Sequence, residues 1–213
     1  MNTNTNENQG VSSPTAVELT GSEPKANKPI LSFDGESDGL WGCIHAIGAT
    51  VMHNGKLIDV FGQRLPKGEL TNEWSINNYG IENLPVVTDE ELLKNFAEFY
   101  FKHKEGSEIV THMGYIVEAR ILKEMYERKL MGDFDGPYPL YDVAPMLHLL
   151  GEQPDSVDNF LGKDADPIVN GIVTEYGNGL SELIGSTHNP IYDSLVTSIV
   201  YEILMNTLGV ASK

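Results

Sequence analysis

Cysteine is nearly absent from this chain of 213 residues, in which Cys43 is the only one. A single cysteine excludes an internal disulfide and a thiolate zinc cage. The N-terminus also lacks the basic start and the apolar core of a signal peptide, and no segment is apolar enough to span a bilayer. We therefore expect a cytoplasmic protein with no membrane role, in which Cys43 is a small buried residue at the start of a strand.

Basic residues are also scarce, because 14 Lys and Arg face 31 Asp and Glu and give a formal charge of -17. This balance argues against a broad basic surface for nucleic acid, since affinity for phosphates without sequence preference comes mostly from Lys and Arg. It does not exclude an enzyme that holds a few terminal nucleotides, because bound metal ions can supply the positive charge locally.

Large apolar side chains are almost missing from the first 28 residues, which are rich in Asn, Thr, Ser and Glu. Such a segment cannot bury enough surface to offset the entropy lost on ordering. We predict a disordered polar tail over residues 1–28 and one domain over residues 29–213.

The rest of the chain shows periodic patterns typical of alternating strands and helices. Three consecutive strands come first, and the turn at Asn54-Gly55 joins the second and third as a hairpin. A capping box at Thr88 begins a helix that ends near His103, and Asn189-Pro190 begins the last helix. The predicted strands cover residues 30–34, 43–52, 56–61, 108–111 and 138–143, and further helices cover 118–130, 145–150 and 156–161.

This order of elements predicts an α/β domain of three layers. Its mixed sheet has five strands, of which the first three are antiparallel, with crossover helices on both faces. We predict no element for residues 66–87, and the loops of residues 151–186 hold only the short helix named above.

Two acids, Asp34 and Glu36, follow the first strand. A spacing of two places both side chains on one face of an extended strand, opposite Leu31 and Phe33. Neighbouring carboxylates repel each other unless a cation lies between them, and their oxygens are the ligands that Mg²⁺ and Mn²⁺ prefer. Taken alone, the pair is more typical of a solvated turn, because D-x-E is common and short motifs often match falsely.

Two further acids lie on the apolar faces of predicted helices. Glu118 precedes Leu122 by one helical turn, and Asp193 lies near the start of the last helix. A carboxylate on such a face is costly without a partner. His188, in the loop before the last helix, has the chemistry of a general base.

With these four acids and His188, the chain resembles the DEDDh 3′–5′ exonucleases of the ribonuclease H-like superfamily, which include ribonuclease T, oligoribonuclease and the polymerase proofreading subunit. D-G-E-S-D-G-L at 34–40 is similar to their first motif, D-x-E-T-T-G-L, and H-N-P-I-Y-D at 188–193 to their third, H-x-A-x-x-D. T-H-M-G-Y-I-V-E-A-R-I-L at 111–122 is similar to the second motif, but Met113 replaces its Asn, and Glu118 replaces its Asp one residue later. Small phage and bacterial exoribonuclease-like members are the most similar subgroup.

The resemblance implies a ribonuclease H-like fold and a two-metal hydrolysis with Mg²⁺ or Mn²⁺. Asp34 would bridge both ions, Glu36 and Asp193 would complete one site, Glu118 would hold the second ion, and His188 would act as general base. Six residues would contact the substrate: Ser37, Asp38, Gly39, Leu40, Trp41 and Tyr115. For the last three, ordinary packing is the open alternative.

Other polar residues have simpler interpretations. We read His112 as structural and Asp142 as a helix cap. Arg120, Lys123, Arg128 and Lys129 form either a phosphate-attracting surface or a solvated helix face.

The function that follows is a metal-dependent 3′–5′ exonuclease acting on the 3′ end of single-stranded nucleic acid. RNA and DNA both remain open, because contacts to the 2′-OH decide that choice and no motif reveals them. The alternative is an inactive nuclease-fold module that binds nucleic acid or protein, and a third option is a hydrolase of the same fold with another leaving group. The sequence sets no oligomeric state, so a homodimer also stays open.

Overall fold

Five strands form one mixed sheet in the computed structural model, which describes residues 28–208. The strands are β1 (Ile30–Ser37), β2 (Ile44–His53), β3 (Lys56–Arg64), β4 (Glu108–Thr111) and β5 (Leu140–Asp142), in the order β3-β2-β1-β4-β5. The pairs β1–β2 and β2–β3 are antiparallel, while β1–β4 and β4–β5 are parallel. The predicted mixed sheet with an antiparallel first half is confirmed. Of the predicted tail, only Lys28 lies within the described residues.

Eight helices accompany the sheet in the described part of the chain. They are α1 (Glu73–Asn78), α2 (Asp89–His103), α3 (Val117–Glu127), α4 (Val143–Leu149), α5 (Val157–Leu161), α6 (Ala165–Tyr176), α7 (Leu180–Leu183) and α8 (Pro190–Thr207). The capping box at Thr88 is formed, and Asp142 caps α4 by accepting the Ala144 N–H at 2.9 Å. No helix among the described residues is long and apolar enough to cross a membrane.

Three α-helices lie where the sequence predicted none: α1, α6 and the four-residue α7. α1 has six residues and no apolar stripe, so its periodicity gives no signal; the Asn72 side chain starts it by accepting the Ser75 N–H. α6 contains Pro167 and Gly171, which mask its apolar face in the sequence. The prediction for Cys43 was also wrong, because it lies before β2 and is exposed.

The hydrophobic core has two halves, one on each face of the sheet. On one face, Phe33 and Ile47 pack with Phe96 of α2 and Ile121 of α3. On the other face, α8 packs centrally against β2 and β1 and buries residues such as Val200. Alternation along β1 therefore directs Leu31 and Phe33 to the α2 face, as predicted, and leaves Asp34 and Glu36 to the face that α8 covers.

Two glycines allow helices to approach the end of β1 closely. A Cβ atom on Gly35 would lie 2.6 Å from the Ile121 side chain of α3. A Cβ atom on Gly48 of β2 would lie 2.2 Å from the Pro190 backbone at the start of α8. These contacts bring the N-terminal ends of α3 and α8 to the end of the strand that carries the acid pair.

Candidate active site

A cavity of about 360 Å³ opens at the end of β1. Its walls come from the end of β1, the loop after β4, the start of α5 and the start of α8. It is lined by Asp34, Gly35, Glu36, His112, Asp155, Ser156, Val157, Asp158, Thr187, His188, Asp193 and Thr197. Four of the five predicted catalytic residues therefore meet in one place, although up to 159 residues separate them in the sequence (193 − 34).

The start of α8 places Asp193 and His188 together. Asn189 caps the helix, its side-chain oxygen accepting the N–H groups of Ile191 and Tyr192 at 3.0 and 3.4 Å. The His188 N–H donates to Oδ2 of Asp193 at 2.8 Å. Within the described chain, Glu36, His188 and Asp193 offer ligand atoms that all lie within 4.8 Å of one another.

Glu118 reaches the same strand from the other side of the sheet. It lies in the first turn of α3, is buried, and its Oε1 accepts the Gly35 N–H at 3.1 Å. Asp34 and Glu118 are not members of the 4.8 Å group found among the described residues. The fourth acid thus contacts the backbone between Asp34 and Glu36.

Burial, with repulsion from neighbouring carboxylates, disfavours ionisation of all four acids. Burial first, then the charges of Glu118, Glu36 and Asp193, raise the pKa of Asp34 well above the usual range of a carboxyl group. Burial followed by the charge of Asp193 does the same to the pKa of Glu36, and burial raises the pKa of Glu118 to about 7. For Asp193, burial and the charge of Asp158 also raise the pKa well above its usual range.

The four acids fit a divalent cation. In the described part of the chain, no Lys or Arg forms an ion pair with Asp34, Glu36, Glu118 or Asp193. Buried carboxylates without a basic partner are stable in the ionised form only if a cation compensates them. Their oxygens, with one imidazole nearby, are a donor set suited to Mg²⁺ or Mn²⁺.

The turn after β1 carries the predicted substrate residues. Its apolar tip is open, since Leu40 and Trp41 are 56% and 71% exposed, and in the loop before α3 Tyr115 is 79% exposed. These three residues are not among those that line the cavity. None of these three side chains is a core residue. Gly39 has a φ of +69°, which favours glycine, and its carbonyl accepts the Ser37 hydroxyl at 2.8 Å.

Asp38 holds this turn to the residues before α1. Its carboxylate accepts the Thr71 hydroxyl at 2.5 Å and the N–H groups of Thr71 and Asn72 at 2.9 and 2.7 Å. The Thr71 hydroxyl bond is the largest cause of a lowered pKa for Asp38. The Asp38 carboxylate, which was predicted to contact substrate, thus binds groups of its own chain.

The basic residues of α3 also bind partners within the chain. Arg120 donates to the carbonyls of Leu40 and Gly42, and these bonds also hold the turn in place. Lys123 pairs with Glu127, and Arg128 with Asp89 and Glu124. His112, which we read as structural, lies within 2.8 Å of the Pro154 carbonyl.

Two groups of site residues escaped prediction. In α1, the Tyr79 hydroxyl donates to the Ser37 carbonyl at 2.5 Å, and the Trp74 ring lies 5.0 Å from the His188 ring. In α5, Asp158 accepts the Thr187 hydroxyl at 2.8 Å beside the cavity. The only signals for them were the aromatic residues in 72–79 and an acid in the short helix predicted over residues 156–161.

A scan of protein-family models finds no match, and neither does a search of curated proteins. Solved structures do match. The zinc-bound complex of E. coli exonuclease I with single-stranded DNA has a TM-score of 0.50 and 13% identity over 86% of this chain. Exonuclease I from Methylocaldum szegediense has a TM-score of 0.50 and 11% identity over 84%. The chain covers only 41% and 40% of their lengths.

These similarities concern the fold. The five-stranded mixed sheet with helices on both faces is the ribonuclease H-like α/β fold of the exonuclease I structures, so the predicted fold class is confirmed.

Proposed function

We propose that this protein is a metal-dependent 3′–5′ exonuclease that hydrolyses phosphodiester bonds at the 3′ end of single-stranded nucleic acid. One observation carries the proposal: among the described residues, three carboxylates without a basic partner meet a histidine at one end of the sheet, and a fourth, on Glu118, binds the backbone between two of them. The two solved structures described above, which share this fold, are exonucleases, and one of them contains single-stranded DNA; both facts support the proposal.

The residues divide the work by position. Asp34, Glu36 and Asp193 would hold one cation, and Asp34 with Glu118 would hold a second. Two such ions, Mg²⁺ or Mn²⁺, stabilise the attacking and leaving oxygens of a phosphoryl displacement when bound. His188 would take the proton of the attacking water, because its ring adjoins Glu36 and Asp193 in the cavity.

Exposed apolar residues of the turn after β1 and of the loop before α3 would hold the strand. Leu40 and Trp41 in the turn, and Tyr115 in the loop, offer faces on which bases stack without sequence preference. Because the surface is strongly acidic, we expect grip on a few terminal nucleotides and little affinity for internal duplex.

A degradation assay with matched single-stranded RNA and DNA tests this function. With Mn²⁺ or Mg²⁺, a 5′-labelled strand should give a ladder of shortened products, and a 3′-labelled strand should release labelled mononucleotide at once. EDTA and the Asp34→Asn substitution should abolish both. Glu98→Gln, an exposed acid of α2, is the matched control. Inert protein with both metals and both nucleic acids would favour a binding module of the same fold instead.

A further inference from the structure

The backbone of His188 is fixed, and its ring is not fixed by the same bonds. Its N–H donates to Asp193, and its carbonyl accepts the Gly80 N–H at 3.0 Å. Its φ of +66° is rare for a residue with a side chain, and these two bonds maintain it. Neither bond restricts rotation about the side-chain torsions, so the direction of the imidazole needs another contact.

Trp74 supplies that contact. The ring centroids of Trp74 and His188 are 5.0 Å apart with an interplanar angle of 78°, an edge-to-face arrangement. Trp74 is itself held edge-on by Tyr79, at 5.8 Å and 87°. Because the Tyr79 hydroxyl binds the Ser37 carbonyl, a continuous series of contacts joins the end of β1 to the His188 ring.

The helix that carries Trp74 is tied to the same turn. Asp38 accepts from Thr71 and Asn72 immediately before α1, and the Ser75 hydroxyl accepts the Gly39 N–H at 3.0 Å. Trp74 therefore has a fixed place relative to the acid pair, although 52% of its surface stays exposed.

We propose that Trp74 is a positioning residue that holds the imidazole of His188 toward the acids of the cavity. The inference rests on the proposed function, because it concerns the general base of that reaction. The competing role for a half-exposed tryptophan is a platform for a substrate base. The two roles differ in the kinetic constant they change, since positioning acts on kcat and stacking on KM.

The first test uses the metal-free protein without substrate. The imidazole carbon-bound protons of His188, assigned with a His188→Gln variant, are followed by aromatic ¹³C–¹H NMR. Trp74→Leu should move these signals, because the ring-current field of the indole is lost, and Trp74→Phe should move them less. Trp41→Phe, at the only other tryptophan, should leave them in place. His188 signals that ignore Trp74→Leu in a folded variant would overturn the proposal.

The second test compares the kinetic constants on a short oligonucleotide. Trp74→Leu should lower kcat by between about tenfold and about a hundredfold with KM unchanged, since small misplacements of a catalytic group cost that much. Trp74→Phe should recover most of kcat. A higher KM with unchanged kcat would identify a stacking platform and refute positioning. If the wild type is inactive, the proposed function fails, while the NMR shifts still test the contact between Trp74 and the His188 ring on which the positioning role depends.

Discussion

The two halves of the acid cluster are built differently. In the half formed by β1 and α8, Glu36, His188 and Asp193 lie with their ligand atoms within 4.8 Å of one another. In the half formed by β1 and α3, Glu118 binds the Gly35 N–H and stays outside that group. Asp34 lies between the halves and is repelled most strongly by Glu118.

The difference follows the spacing of the motifs. The five-residue interval from His188 to Asp193 spans an N-cap and one helical turn, which brings both residues to the same end of α8. Glu118 is one position later in its helix and one methylene longer than the expected Asp, and it meets a backbone amide on the way to the cavity. In the proposed site, the first half already groups ligand atoms for a cation, whereas Glu118 in the second half would have to exchange a hydrogen bond for a metal.

The largest expected effect separates the halves by activity. Glu36→Gln should lower kcat by more than about 100-fold, beyond the cost of losing a residue that only orients a metal ligand. Glu118→Gln should cost less, about tenfold, because its amide oxygen can keep the Gly35 bond. Single-turnover degradation with saturating Mn²⁺ measures both, with Glu98→Gln as control. Equal losses would show that both halves hold metal in the same way.

Base stacking gives the next comparison, because Trp41 belongs to the turn after β1 and Tyr115 to the loop before α3. At about 1–3 kcal/mol per stacked base, Trp41→Ala should raise KM by roughly 5- to 160-fold with kcat unchanged. Tyr115→Ala should raise KM less, since the Trp41 turn is held by Asp38 and Arg120 on two sides. Steady-state kinetics on oligonucleotides decides the order, and a larger effect at Tyr115 would reverse it.

Metal binding compares the two halves of the acid cluster without a measurement of activity. Mn²⁺ at about 100 times its dissociation constant should stabilise the wild type by about 2.7 kcal/mol, and EDTA should remove the gain. Glu36→Gln should lose most of this stabilisation while Glu118→Gln keeps most of it, as judged by thermal unfolding with and without Mn²⁺. Loss of the whole effect in Glu118→Gln would place the tighter site in the α3 half.

The last comparison concerns the dependence of stability on pH. Burial raises the pKa of Glu118 from 4.5 to about 7, so the folded state binds this proton more tightly than the unfolded chain. Its contribution to the stability of the metal-free protein is therefore present below about 4.5 and is lost as pH rises to about 7. Glu118→Gln should gain stability relative to the wild type across that window, on the order of 3 kcal/mol at its upper end.

Urea unfolding in EDTA at both ends of the window measures this difference. A difference between the two proteins that stays constant with pH would show that Glu118 titrates like an exposed acid.

The sequence predicted the elements whose signals are local. The Asn54-Gly55 hairpin, the capping box at Thr88 and the Asn189 cap each depend on a few adjacent residues, and all three formed. The meeting of distant acids was predictable only because each followed a recognisable strand end or helix start.

The rest depends on contacts that no local pattern encodes. α1 is held mainly by polar contacts to the turn after β1, so Trp74 and Tyr79 gave no periodic signal. Asp158 reaches the cavity because α5 packs beside α8. The five residues of α5 carry no local pattern that indicates this tertiary contact. The uses of Asp38 and Arg120 likewise became clear only when their backbone partners were placed.

Gly48 determines how closely α8 approaches the sheet. It pairs with Asp34 across β1 and β2, and it lets the Pro190 backbone rest directly on the sheet. Because Gly48 of β2 has no side chain, α8 lies close to the sheet, and this contact sets the separation between the acids of β1 and Asp193 of α8. Gly48 has no functional atom of its own, yet it determines the spacing of the acids in the proposed cation site.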